Sequence, residues 1–191
     1  MSNSDIQTGK PDHICPWFLA YLFDNPLRKW FHNPEKMLGP YVKKGMTVMD
    51  IGCGMGYFSI GMARLVGDEG KVYAVDIQPE MLDVAMRRAR KKEVGPRISP
   101  VLAAGDRIGI KEKADFILTF WMVHETPDFK VFFRSLADSL SGDGKIFMAE
   151  PRFHVSRSVF EKEIQAAAAA GLTDLGRPTA AFSHSALLGR G

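Results

Sequence analysis

The sequence is poor in cysteine and in long apolar runs. Only Cys15 and Cys53 occur among the 191 residues, and they do not form a C-x-x-C pair, so no disulfide framework of the secreted type is indicated. No apolar run approaches the length of a membrane span. The polar N-terminus leads us to expect no secretory signal. We therefore expect a protein of the reducing cytoplasm that does not span a membrane.

The sequence also lacks a strong excess of charge of either sign. The formal net charge is +3, and the basic residues are scattered apart from a group within 87–92. We interpret this group as the solvated end of a helix, where cations interact favourably with the helix dipole, and expect no nucleic-acid partner. The hydrophobic fraction of 46% and charged fraction of 25% are typical of one globular domain with a sizeable core. The oligomeric state is not readable from this composition.

A glycine-rich stretch organises the rest of the chain. The apolar run 47–51 predicts a buried strand, although Asp50 interrupts it. Beyond the strand, apolar residues at helical spacing predict a helix over 57–66. Between strand and helix, glycines occupy three alternate positions: Gly52, Gly54 and Gly56. Such a loop lets a ligand approach the backbone next to the free N–H groups of a helix. The alternative is a tight turn without a ligand, which three glycines preceded by an acid make less favourable.

The spacing of these glycines argues against a dinucleotide. The dinucleotide fingerprint is G-x-G-x-x-G, whereas here Tyr57 stands at the third glycine position of that pattern. Asp50 is unfavourable for a diphosphate and suits a ligand with a positive charge, such as an α-amino group. The run D-I-G-C-G-M-G-Y is similar to the first motif of class I S-adenosylmethionine-dependent methyltransferases. This resemblance implies that Asp50, Cys53 and the three glycines line the methionine part of the cofactor.

A second acid stands at the spacing expected for a ribose contact. Asp76 ends the predicted strand 71–76, twenty residues after Gly56. A carboxylate at this position can accept hydrogen bonds from both hydroxyls of a ribose. The alternative role is a helix cap before Pro79. The run V-D-I-Q-P-E-M-L resembles the second methyltransferase motif, which implies that Ile77 and Met81 pack on the adenine.

A glycine–aspartate pair follows the third predicted strand. In the family this position receives the adenine amino group, which implies cofactor contacts for three neighbouring residues: Gly105, Asp106 and Arg107. The alternative, which the sequence favours equally, is that Asp106 is part of a turn and contacts no cofactor. Pro100 within strand 98–103 predicts an edge strand, because proline cannot donate to a ladder.

The loop after the predicted strand 114–120 carries candidate acceptor-binding residues. Such loops line the ligand crevice of open α/β sheets. His124 is the candidate general base, because imidazole titrates near neutral pH; the alternative is a histidine bonded to nearby backbone. We predict that Phe120 contacts the cofactor and that Trp121 and His154 contact the substrate.

Alternating strands and helices predict an α/β fold with a doubly wound, largely parallel sheet. Its later elements are predicted as a helix over 129–140, a turn over 141–144 and a fifth strand over 145–150. The resemblance, which covers residue 44 to the C-terminus, implies a Rossmann-like sheet of seven strands with the last one antiparallel. Within the preceding segment 1–43, two short helices are expected near the prolines.

In related methyltransferases an N-terminal helical segment covers the cofactor and shapes the substrate pocket. The resemblance therefore implies this role for residues 1–43, ahead of the methyltransferase domain 44–191. We predict three substrate-binding residues within this segment: Cys15, Trp17 and Tyr21. A single cysteine near His13 does not make a metal site, so no metal is predicted.

The resemblance implies an enzyme that uses S-adenosylmethionine and releases S-adenosylhomocysteine. The C-terminal run F-S-H-S-A-L-L-G-R-G resembles the ubiquinone/menaquinone biosynthesis methyltransferases and their relatives. We predict a small-molecule methyl acceptor, since no basic groove or added recognition domain is evident. Two alternatives stay open, a non-catalytic S-adenosylmethionine-binding module acting through a partner and, less favoured by the glycine spacing, an NAD-dependent oxidoreductase.

Overall fold

A computed structural model describes residues 28–104 and 108–191. Six of the predicted site residues lie outside these described residues: Cys15, Trp17, Tyr21, Gly105, Asp106 and Arg107. Their predicted roles therefore stay predictions.

Seven strands form one sheet in the order β3-β2-β1-β4-β5-β7-β6. Their bounds are β1 Thr47–Ile51, β2 Lys71–Asp76, β3 Ile98–Leu102, β4 Ala114–Phe120, β5 Leu140–Pro151, β6 Leu172–Gly176 and β7 Ser183–Arg190. Strand β7 runs antiparallel to both neighbours, whereas β1 to β5 pair in parallel. The predicted seven-stranded fold with an antiparallel last strand is confirmed, and β3 lies at an edge as Pro100 indicated.

Six helices surround the sheet within the described part of the chain. Their bounds are α1 Arg28–Phe31, α2 Pro34–Leu38, α3 Tyr57–Val66, α4 Pro79–Lys91, α5 Phe129–Ser139 and α6 Arg157–Ala169, with short 3₁₀ turns at Gly95–Arg97 and Val123–Glu125. Side chains cap the later helices: Asp128 accepts from the Lys130 and Val131 amides, and Ser156 accepts from the Val159 amide. These contacts satisfy N–H groups that a helix leaves unpaired in its first turn.

The core consists of two apolar layers, one on each face of the sheet. Successive strand residues point to opposite faces, so Met49 packs in one layer and Val48 in the other. Helices α5 and α6 cover the first layer with residues such as Phe133 and Phe160. Helices α3 and α4 cover the second layer, where Met62 is fully buried.

The fifth strand is longer than the sequence predicts. It begins at Leu140, so the predicted turn at 141–144 lies within it and helix α5 ends one residue earlier than expected. The cause is a register shift against β4: Ala114 pairs with Leu140, but Phe116 pairs with Lys145. The residues of β5 between Leu140 and Lys145 therefore form an irregularity in its hydrogen-bonded ladder with β4.

The described part of the N-terminal segment packs on the domain. Leu38 and Val42 are buried in the same layer as Val48. A Cβ on Gly61 of α3 would lie 2.3 Å from the Pro34 Cβ, so α2 and α3 approach closely where glycine leaves room. No helix in the described ranges is long and apolar enough to cross a bilayer, and the cytoplasmic location stays a prediction.

Candidate active site

The glycine loop joins β1 to α3 with three residues at positive φ: Gly52 at 69°, Gly54 at 51° and Gly56 at 78°. A Cβ on Gly54 would meet no atom of the described residues within 4 Å, so this part of the chain leaves open space beside its backbone. A Cβ on Gly56 would lie 2.8 Å from the Ala85 Cβ of α4. Two of these glycines thus have different structural roles. Gly54 leaves room for a ligand, whereas Gly56 permits close packing of the loop against helix α4.

Asp76 meets this loop because β2 lies next to β1 and runs parallel to it. Its Oδ2 accepts a hydrogen bond from the Gly54 amide at 2.9 Å, and its Oδ1 accepts one from the Gln78 amide at 2.9 Å. Burial raises the pKa of Asp76, against the lowering effect of hydrogen bonds from the backbone of Gln78, Gly54 and Ile77. Each carboxylate oxygen has capacity for a second donor.

The other acid of the motif lies beneath the loop. Asp50 is only 2% exposed, and its Oδ2 accepts a hydrogen bond from the Ser59 hydroxyl at 2.5 Å. Cys53 is also buried, and burial together with the negative charges of Asp50 and Asp76 raises the pKa of its thiol. The region under the loop is therefore acidic, which disfavours a phosphate there.

The end of β4 supplies an aromatic pair. Phe120 is buried, and its ring stacks on Trp121 with centroids 5.2 Å apart and planes at 28°. Trp121 has a positive φ of 61°, unusual for a bulky residue. Its indole Nε1 donates to the Ser183 hydroxyl at 2.9 Å, and its amide donates to the Ala149 carbonyl. These contacts hold the ring in place at the point where the chain leaves the sheet.

Glu150 organises the loop that carries His124. This carboxylate is fully buried near the end of β5. It accepts hydrogen bonds from the amides of Met122, Val123 and His124 at 3.1, 3.0 and 3.3 Å, and the ring Nδ1 of His124 also bonds to it. With Nδ1 donating to Glu150, Nε2 is the ring nitrogen that can accept a proton.

The surroundings of His124 favour its protonated form. Burial lowers the pKa of this imidazole, but the hydrogen bond and charge of Glu150, together with the charge of Glu125, outweigh it and raise the pKa. His154, which the sequence predicts to contact the substrate, lies close by, with the two imidazole ring centroids 4.9 Å apart. The structure therefore brings His124 and His154 together.

A second acid in this region, Glu163 of α6, is fully buried, and neither of its carboxylate oxygens has a hydrogen-bond partner among the residues that the structure describes. Burial and the negative charge of Glu150 raise its pKa to about 8. Glu163 is therefore protonated at neutral pH. Neither glutamate was predicted as a site residue. For Glu150, an acid at the end of the apolar run 146–149 was the available signal, whereas Glu163 lies inside helix α6, before its alanine run, where no such signal marks it.

His32 is a further residue that the sequence did not indicate. It is 4% exposed, and its Nε2 lies 2.8 Å from the Ala181 carbonyl oxygen. Its ring lies edge-on to Phe120 and Trp121, with centroids 5.0 and 5.3 Å away. The Tyr57 hydroxyl donates to the His32 carbonyl at 2.9 Å. His32 thereby joins the N-terminal segment to both the glycine-loop helix and the aromatic pair.

Comparison with known proteins identifies the family. The profile described as a methyltransferase domain matches residues 42–178, which is more than half of the chain. The chain belongs to the class I S-adenosylmethionine-dependent methyltransferases. The predicted family and its cofactor, S-adenosylmethionine, are confirmed.

Relatives of this methyltransferase differ in what their names say they act on. A probable cobalt-precorrin-6B C(15)-methyltransferase (decarboxylating) of Pyrobaculum aerophilum is 29% identical over 56% of this chain and 53% of its own length. A ubiquinone biosynthesis O-methyltransferase of a Methylobacterium species is 31% identical over 70% of this chain and 51% of its own length. The chain thus spans about half the length of these curated relatives.

A solved structure supports the fold independently. A SAM-dependent methyltransferase from Aquifex aeolicus superposes with a TM-score of 0.80 at 22% identity, covering 92% of this chain and 98% of that one. At this identity the likeness shows the methyltransferase fold alone.

The residues at the glycine loop fit S-adenosylmethionine. Next to Asp76 in the chain, Ile77 is 40% exposed, and Leu102, which pairs with Asp76 across β2 and β3, is 58% exposed. A carboxylate with spare acceptor capacity next to an apolar surface suits a ribose followed by an adenine. Met81 instead packs with Met55 and Val84 in a small buried cluster and is 6% exposed. The individual contacts predicted for Asp50, Met81 and the other site residues stay predictions.

Proposed function

We propose that this protein transfers a methyl group from S-adenosylmethionine to a small-molecule acceptor. The observation that carries the proposal is the meeting of the Gly54 amide with the Asp76 carboxylate, 2.9 Å apart, at the carboxyl ends of adjacent parallel strands. In open α/β sheets, ligands bind in the crevice at this edge. The acidic region around Asp50 supports S-adenosylmethionine rather than NAD, because a diphosphate would be repelled there.

An aromatic lining supports a small, largely apolar acceptor. His32, Phe120 and Trp121 contact one another, and Phe182, which is 56% exposed, lies 6.4 Å from the His32 ring. Flat rings of this kind exclude water and pack on a planar substrate. A dry pocket suits methyl transfer, because charge disperses as the positive sulfonium is consumed.

S-adenosylmethionine supplies an activated methyl group when it is bound. In the proposed mechanism the Asp76 carboxylate would accept hydrogen bonds from the ribose hydroxyls, and the backbone around Gly54 would border the methionine part. His124 takes the proton of the acceptor's nucleophile on Nε2, and Glu150 stabilises the resulting imidazolium through Nδ1. Alignment of the two reactants at contact distance supplies roughly 7–11 kcal/mol of barrier reduction in favourable cases.

We also propose that residues 1–43 cover the crevice and complete the acceptor pocket ahead of the methyltransferase domain. The contacts of His32 with Phe120 and Trp121 support this role for the part of the segment that is described. The predicted acceptor contacts of Cys15, Trp17 and Tyr21 belong to the same proposal.

Isothermal titration with S-adenosylmethionine, S-adenosylhomocysteine and NAD tests the cofactor site. We expect both sulfur compounds to bind and NAD not to bind. Asp76→Ala should weaken binding at least tenfold, because it removes the ribose acceptor. Asp83→Ala on the exposed face of α4 is the matched control and should bind as the wild type does. Preferential binding of NAD, or unchanged affinity in Asp76→Ala, would contradict the proposal.

Turnover separates an enzyme from a binding module. We expect S-adenosylhomocysteine to form when a panel of small phenols, quinols and thiols is supplied. His124→Gln should lower kcat for the accepted compound while cofactor affinity is retained. Product formation with none of these acceptors, in a protein that binds the cofactor tightly, would favour the non-catalytic alternative.

A further inference from the structure

A second cavity lies outside the proposed methyl-transfer crevice. Its volume is about 240 Å³, and it opens between the start of α6, the connection from β6 to β7 and the end of β5. Each of these parts contributes a nitrogen-bearing side chain: Arg152 follows β5, Arg157 begins α6, Arg177 follows β6 and His184 belongs to β7. Nothing in the proposed methyl-transfer mechanism uses them.

The side chains lining this cavity carry an excess of positive charge. Among the described residues, three arginines line it but only one carboxylate, Glu161. The Arg157 Nε lies 3.9 Å from the Glu161 Oε1, and Arg177 pairs with Asp174 outside the lining. Arg152 pairs with no carboxylate in the described ranges of the chain. Its guanidinium is therefore available to an incoming anion.

An aromatic ring forms the floor between two of these groups. Phe160 is 2% exposed, and the His184 ring lies 5.4 Å from it, centroid to centroid. The Arg177 guanidinium carbon lies 5.9 Å from the same ring. Partial burial and the positive charges of Arg152 and Arg157 hold the pKa of His184 below its ordinary value, against the opposing charge of Glu161. Arg152 and Arg157 thus lie close enough to His184 for their positive charges to act on its imidazole.

We infer that this cavity binds an oxyanion, namely a phosphate or carboxylate group held by Arg152, Arg157 and Arg177. Guanidinium groups match the geometry of such oxygens and donate two parallel hydrogen bonds to them. The cavity is too small for a nucleotide-sized ligand beside these side chains but accommodates a single anionic group.

The cavity adjoins the acceptor crevice. Ser183 lines it and also accepts the indole hydrogen bond of Trp121 at 2.9 Å. The anionic group therefore has two possible sources, a free anion or the charged end of the methyl acceptor. The second source rests on the proposed function, whereas the anion site itself does not.

Inorganic phosphate is the probe for the site. We expect saturable binding at pH 7 by titration calorimetry, with a shift of the His184 imidazole NMR signals that potassium chloride of equal ionic strength does not produce. Bound phosphate should also raise the pKa of His184, since a nearby anion favours the imidazolium. The signal is assigned with His184→Gln.

Arginine variants decide whether the binding is specific. Arg152→Gln and Arg177→Gln should each weaken phosphate binding at least tenfold, whereas Arg87→Gln on the exposed face of α4 should leave it unchanged. Equal weakening in all three variants, or no saturable binding, would overturn the inference. Affinity for S-adenosylmethionine is measured in parallel and should not change, which separates failure of this site from failure of the proposed cofactor site.

A pair of acceptors distinguishes the two sources. Methylation of 3,4-dihydroxybenzoate is compared with that of catechol, which lacks the carboxylate. If the acceptor supplies the anion, the carboxylated compound has the lower KM, phosphate competes with it, and Arg152→Gln removes the preference. If a free anion is the ligand, phosphate binds without competing with either compound.

Discussion

The Nδ1 of His124 donates to the carboxylate of Glu150. Glu150 lies near the carboxyl end of β5, and His124 lies in the turn that follows the neighbouring parallel strand β4. Glu150 is fully buried, so its charge acts in a poorly screened environment. The contact fixes the orientation of the imidazole and leaves Nε2 as the proton acceptor. The proposed general base is therefore a pair of residues.

Glu150→Gln should lower the pKa of His124. The amide keeps the shape of the side chain but removes the negative charge that raises this pKa, so the value should fall toward that of a free imidazole. NMR titration of the His124 ring measures it directly. Glu80→Gln at the exposed start of α4 is the control, and an unchanged His124 titration in Glu150→Gln would contradict the pairing.

The same pair predicts a pH dependence of stability. Because folding raises the pKa of His124 above its unfolded value, the pair stabilises the fold fully below about pH 6.5. That contribution is lost as the pH rises through the folded-state value. The free energy of unfolding of wild type and His124→Gln, measured by urea denaturation at pH 5.5 and pH 9, should therefore differ more at the lower pH.

Glu163→Gln should stabilise the protein selectively at high pH. Folding raises the pKa of Glu163 from 4.5 to about 8, so wild-type stability falls as the pH rises between these values, where the unfolded chain ionises and the folded one does not. The glutamine removes this loss. Relative to the wild type, the free energy of unfolding of the variant should increase by up to about 5 kcal/mol between pH 4 and pH 9, because each unit of pKa shift corresponds to a fixed free energy.

Urea denaturation at several pH values checks the Glu163 prediction. Glu161→Gln on the same helix is the matched control, since its side chain is 46% exposed, and its effect should not grow with pH. A Glu163→Gln variant whose relative stability is independent of pH would show that Glu163 is ionised in the folded protein at neutral pH.

Alanine at two glycines of the loop should have opposite main effects. Gly56→Ala places a Cβ 2.8 Å from the Ala85 Cβ at a φ of 78°, so it should destabilise the fold by roughly 1–3 kcal/mol. The Cβ of Gly54→Ala would meet no atom within 4 Å in the described ranges, so this substitution should cost about 1 kcal/mol for its positive φ. It should nevertheless weaken S-adenosylmethionine binding at least tenfold.

Thermal unfolding and titration calorimetry together measure this pair of variants. Each variant serves as the control for the other, because both add one methyl group to a glycine at positive φ. A Gly54→Ala protein with wild-type cofactor affinity would mean that the ligand does not approach the loop at this residue.

His32→Leu should loosen the N-terminal segment. The substitution keeps an apolar side chain against Phe120 and Trp121 but removes the bond to the Ala181 carbonyl, at a cost of about 1 kcal/mol. Hydrogen exchange should become faster in residues 28–38. Equal exchange rates in the variant and wild type would show that other contacts hold the segment.

Local sequence signals predicted most of the fold. Strand β4 was predicted at its observed bounds, because the apolar run 116–118 follows the charged residues 111–113 at a spacing typical of a buried strand. Asp76 was identified as a site residue by its distance from Gly56 in the sequence. Helix and strand have a constant rise per residue, so the helix after the glycine loop and the strand that follows it return the chain to that loop. The start of β5 was missed because Ser141 to Gly144 have the composition of a turn, and only pairing with β4 draws Leu140 into the sheet.

By itself the sequence determined the alternation of strands and helices and the glycine loop with its two acids, because these follow from periodicity and backbone freedom over a few residues. The tertiary structure decided which distant residues act together. Glu150 reaches His124 only because β4 and β5 are neighbours, and His32 meets Trp121 only because α2 packs on α3. Such contacts depend on long-range packing, which leaves no spacing rule in the chain.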